Sequence, residues 1–196
     1  LLPYLYSLEE VGRIYLVMTL AGIFSIFARA GLDYKVNQAL SEIGGQDLSV
    51  KLSYLASILL HSLVAAFGVF FFAKLNFSYE VFHGINGNVL LMSLLGFAYT
   101  LSFYLFQLYK LDGSVVKASL SRGFIHSFAI LVSAIFCSNV FFNLSFDLSL
   151  KVIFSFVLFV TIFNFIFYIF GQIRTTNVNI AIKLPLGSPR LFFYSL

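Results

Sequence analysis

"VIFSFVLFVTIFNFIFYIFGQI", Val152 to Ile173, runs for 22 residues without Asp, Glu, Lys or Arg. A helix of that length covers about 33 Å, which matches the hydrocarbon thickness of a bilayer. Three more uncharged runs meet the same test: Leu52–Ala73, Asn88–Tyr109 and Gly123–Phe146. A fifth, Ile14–Ala28, is shorter and lies between Arg13 and Arg29, whose long side chains can snorkel to the two interfaces. The chain is 60% hydrophobic and 10% charged, against about 25% charged in soluble domains. That leaves too little polar surface to cover a water-soluble core. The class is an all-α, multi-pass membrane protein, with helices expected over about 11–29, 52–73, 88–109, 120–143 and 152–173.

Five spans alternate the loops between two sides. Side one (7–13, 74–87, 147–151) holds Arg13, Lys74 and Lys151. Side two (29–51, 110–122, 174–190) holds the other nine of the twelve basic residues. The positive-inside rule therefore puts side two in the cytoplasm. "SLEEVGRIY", Ser7 to Tyr15, then reads as a short outer turn, with Glu9 and Glu10 there because water is. Residues 32–43 show apolar positions at helical spacing, ended by Gly44-Gly45. Residues 174–190 read as a cytoplasmic linker and 191–196 as the start of a further helix. Both ends are expected to be cut from a longer chain, with 1–173 as the transmembrane bundle.

Chemistry is sparse. All eight carboxylates fall in or beside loops, and no metal-binding, phosphate-loop or nucleophile motif is present. No catalytic residue, metal or cofactor is expected, and no nucleic-acid partner. Cys137, the single cysteine, can form no intrachain disulfide and reads as a packing residue. Asn139 and Asn164 read as polar glue between helices. The phenylalanines of 152–173 read as lipid contact and packing. Sequons occur at Asn76 and Asn143.

Residues 7–43 carry a resemblance. The turn Ser7-Leu8-Glu9-Glu10-Val11-Gly12, the apolar helix, Gly31-Leu32 and Glu42 resemble the second-helix region of polysaccharide-biosynthesis and O-antigen flippases. These belong to the multidrug, oligosaccharidyl-lipid and polysaccharide exporter superfamily. Gln107–Gly123 is similar to the family's loop between helices four and five. Ser7-Leu8 stands where the family has Gly-Pro, and Val11 where it has an aromatic. The resemblance implies the first lobe of a two-lobe, MATE-like exporter. It implies a flippase that moves a lipid-linked saccharide, on a polyprenyl pyrophosphate, across a bacterial inner membrane for lipopolysaccharide assembly. A cation-coupled drug antiporter of the same superfamily and a membrane glycosyltransferase or polymerase are the alternatives. Membrane lipids are the remaining expected partners.

Four residues are candidates for the substrate. Arg29 and Arg122 lie at expected cytoplasmic helix ends, either as topology anchors or as phosphate ligands, since guanidinium binds phosphate through a two-pronged fork. His61 and His126 lie within spans. Each is either an imidazole satisfied by a neighbouring backbone or hydroxyl group, or a cavity residue meeting sugar hydroxyls or carrying a proton.

Overall fold

The structure, a computed structural model, describes residues 2–29, 31, 34–35, 38, 48–75, 89–138 and 144–175. All regular elements among them are helices: α1 (Leu2–Leu5), α2 (Leu8–Arg29), α3 (Leu48–Leu75), α4 (Val89–Leu111), α5 (Val115–Cys137) and α6 (Phe146–Thr175). α6 takes in Arg174 and Thr175, the first two residues of the expected linker 174–190; the rest of that linker and the expected further helix 191–196 lie outside the described residues, as do Asn76, Asn139, Asn143 and nearly all of 32–43.

Among the described residues, four helices are long and apolar enough to cross a membrane: α2, α4, α5 and α6. The fifth expected span lies in α3, a 28-residue helix whose fully described apolar stretch, Lys51–Val64, is shorter. Four of the five expected spans are thus found among the described residues, and the expected 52–73 falls wholly inside helix α3. α5 also begins five residues ahead of the expected start at 120. The expected loop 110–122 contracts to the turn Asp112–Ser114, in which Gly113 takes a positive φ of 73°.

"SLEEVGRIY" is a helix start, not an extended turn. The Ser7 hydroxyl accepts the Glu10 amide at 3.3 Å, and the Glu10 carboxylate accepts the Ser7 amide at 2.8 Å. This reciprocal capping box satisfies two amides that no helical carbonyl can reach. Glu9 binds Arg13 one turn on, at 2.7 Å. From there α2 buries Val11, Ile14, Val17, Ala21, Ser25 and Ala28, a stripe at helical spacing, and turns Tyr15, Ile23 and Phe27 outward.

α4 is the central helix: 61% of its span is buried, against 28% for α6. α2, α3, α5 and α6 all pack on it. Gly96 sets the crossing with α2, because a Cβ there would sit 3.4 Å from both the Ala21 carbonyl oxygen and the Phe24 Cβ.

The packing is inside-out relative to a soluble bundle. Phe159, Phe163, Phe167 and Phe170 of α6 are each 62–67% exposed. Ser57, Thr100, Ser121, Ser133 and Thr161 are buried, and each hydroxyl donates to a carbonyl three or four residues back. Hydrocarbon tolerates the outward rings, and the inward hydroxyls are satisfied within their own helices.

Two apolar cores result. The first joins Ile14, Val17 and Ala21 to Met92, Leu95, Ile130, Ile153, Phe154 and Val157. The second joins Leu55 and Ile58 to Leu101, Tyr104, Leu105, Leu108, Tyr109 and Tyr168.

Candidate functional site

Alternation of the helices brings the end of α2, the start of α3, the α4–α5 turn and the end of α6 to one end of the bundle. Two polar constellations form toward that end.

The first is built on Phe103 of α4. The Arg29 guanidinium carbon lies 3.9 Å from its ring centroid, and that of Arg122 lies 5.5 Å from the same centroid. Arg122 also lies 5.0 Å from the centre of the Phe106 ring. Each cation meets the negative face of a ring, an attraction that grows as water is removed. Arg29 is buried in the last turn of α2, and its Nε donates to the Ser25 carbonyl at 3.2 Å. The negative end of the α2 dipole adds to its stability there.

Arg122 is exposed and does not sit in a loop as expected. It occupies a π-type turn, Leu120–Phe124, inside α5. At 1.5 Å per residue it stands roughly 10 Å along the helix from Val115. The Ser121 hydroxyl takes the Ala118 carbonyl at 2.8 Å, which competes with the regular ladder and accounts for the local widening.

The second constellation centres on Asp112 in the α4–α5 turn. Its Oδ1 accepts from Lys51 Nζ at 2.8 Å. Its Oδ2 accepts from the Tyr168 hydroxyl and from Gln172 Nε2, both at 2.9 Å. The Lys51 side chain is 4% exposed and that of Asp112 is 23% exposed. Tyr104 donates its hydroxyl to the Lys51 carbonyl, and Tyr109 donates to Asn164 Oδ1 at 3.2 Å. The Tyr109 and Tyr168 rings meet edge to face with centroids 5.0 Å apart.

The histidines stand elsewhere. His61 Nδ1 lies 2.7 Å from the Ser57 carbonyl in its own helix. A carbonyl only accepts, so Nδ1 carries the hydrogen. His126 is buried between α4, α5 and α6, with Nε2 2.8 Å from Ser102 Oγ and 3.0 Å from Thr161 Oγ1. The Thr161 hydroxyl donates to the Val157 carbonyl at 2.8 Å, so toward His126 it accepts, and Nε2 carries the hydrogen. Nδ1 of His126 is buried without a hydrogen-bond partner among the described residues, and the Tyr99 ring packs at 4.9 Å.

Of the four residues named from sequence, then, Arg29 and Arg122 come together. His61 and His126 join neither the arginines nor each other. Sequence reading missed Phe103, which joins the arginines, and the whole Lys51–Asp112–Tyr168–Gln172 cluster. The one available signal was "LDG", Leu111 to Gly113, a turn sequence that places a carboxylate at a helix end.

The fold and its inverted surface define a helical membrane protein. Family models, curated proteins and solved structures contain no match to this chain.

Proposed function

We propose that this protein is a flippase for a lipid-linked saccharide in a bacterial inner membrane, with Arg29 and Arg122 as the groups that meet its phosphates. The observation that carries this reading is the convergence of two guanidinium groups on Phe103, one buried and one exposed. A guanidinium keeps its charge at any physiological pH and offers paired donors to a phosphate. Their end of the bundle is the cytoplasmic one by the excess of basic residues, so a polyprenyl pyrophosphate would arrive there from the inner leaflet. The likeness of residues 7–43 to O-antigen flippases supplies the saccharide, and the reading entails a transport cycle without bond chemistry. The arginine pair fits a diphosphate better than the buried imidazole of His126, whose Nε2 is already engaged.

The test compares Arg→Lys with Arg→Gln at positions 29 and 122 in the full chain, scored for surface glycan and for membrane insertion. Lysine keeps the charge and loses the fork. Loss of one charge-assisted contact costs about 1.5–3 kcal/mol, a tenfold or greater drop in export. The expected result is normal insertion with glycan export lost in the Gln variants and reduced in the Lys variants. Export at the parent level in all four would reduce these arginines to anchors.

A further inference from the structure

We propose that Asp112 is the catch of a latch that holds α3 and α6 together over α4, and that its release lets this end of the bundle open. Among the described residues α3 and α6 each pack along α4 and meet one another little beyond the apolar cluster around Leu55, Ile58 and Tyr168. What ties their ends is one carboxylate in the turn after α4, reached by Lys51 from α3 and by Tyr168 and Gln172 from α6. Beneath it lies the second core, with Leu105 and Leu108 at most 1% exposed. Both carboxylate oxygens are occupied, and the Lys51 backbone is fixed in turn by Tyr104.

This ion pair is partly buried, with Lys51 inside and Asp112 at the edge, so its net stability is small while loss of the carboxylate would leave the buried Lys51 charge unpaired. That asymmetry suits an element with two states, because the polar ties of this end are gathered on a single carboxylate. Asp112 is also positioned to let go. It is the more exposed member of the pair and sits beside Gly113 in a three-residue turn, not within a helix. Lys51 is held inside and cannot follow it into water without moving the first turn of α3. The proposal stands apart from the flippase reading: it concerns motion of the bundle and requires no particular cargo.

The experiment reads the seam directly. In the full chain in native membranes, with Cys137→Ser as background, Leu108→Cys is labelled with a small water-soluble thiol reagent. The parent pair should protect this cysteine. Asp112→Asn, which strips the charge and leaves Lys51 unpaired, should speed labelling at least tenfold. The double variant Tyr168→Phe with Gln172→Leu, which leaves Lys51 and Asp112 paired and removes only the α6 side of the catch, should also speed labelling severalfold. Helix content and a cooperative melt are followed in each variant. If Asp112→Asn labels at the parent rate, the latch is overturned. Labelling of Tyr168→Phe with Gln172→Leu at the parent rate, with an intact melt, equally overturns it, because the carboxylate would then not be what ties α6 to α3.

Discussion

The two cores of this bundle are built on different physics. The first, around Ile14, Leu95, Ile153 and Phe154, contains aliphatic side chains and one aromatic ring, with no charged residue. The second, around Leu105 and Leu108, is faced by three tyrosines and closed by an ion pair. Close packing dominates the first, with the Tyr6 hydroxyl donating to the Ala134 carbonyl at 3.1 Å at its edge, so its helices can shift only by opening voids. Directional contacts gathered on one carboxylate hold the end of the second. A bundle divided in this way has a fixed half and a releasable half, and the arginine pair stands toward the releasable end.

The largest effect that sharpens this contrast is expected in the fixed half. Phe154→Ala removes a ring that is 1% exposed, which should cost about 3–5 kcal/mol. A melt in detergent followed by circular dichroism checks this, and a loss below 1 kcal/mol would mean that the first core is not close-packed. A smaller loss is expected from Tyr168→Phe, which deletes one hydrogen bond to a carboxylate and keeps the ring against Tyr109: about 1.5–3 kcal/mol. The two variants together should be additive if the halves are independent, and coupling above about 0.5 kcal/mol would break the division. The smallest effect belongs to the α2 cap. Ser7→Ala removes the capping hydroxyl at an exposed site and should cost about 1 kcal/mol, with the melt of the remainder unchanged.

The helices were legible because their cause is local. Apolar runs of about 20 residues must be helical in hydrocarbon, where no water serves the backbone. The start of α2 could have been read more fully, since Ser7 and Glu10 have capping-box spacing, yet the stretch reads as a turn when only its charges are weighed. The start of α5 was misplaced for a local reason as well. Lys117 and Arg122 made 110–122 look like a loop, yet three residues suffice for the turn and both basic side chains emerge from helix. The expected 52–73 falls wholly inside helix α3, Leu48–Leu75.

Composition and periodicity by themselves determined that this chain is a membrane protein and roughly where its apolar helices lie. These depend on each residue's own transfer energy, which is additive along the chain. Only the tertiary structure decided that Arg29 and Arg122 share Phe103, that His126 is engaged by Ser102 and Thr161, and that Lys51 reaches Asp112. Lys51 and Asp112 stand 61 positions apart, and Asp112 and Tyr168 stand 56 apart. No periodicity links them. They meet because α3 and α6 pack on α4 with their ends level with its final turn, and ridge-into-groove packing of whole helices sets that alignment.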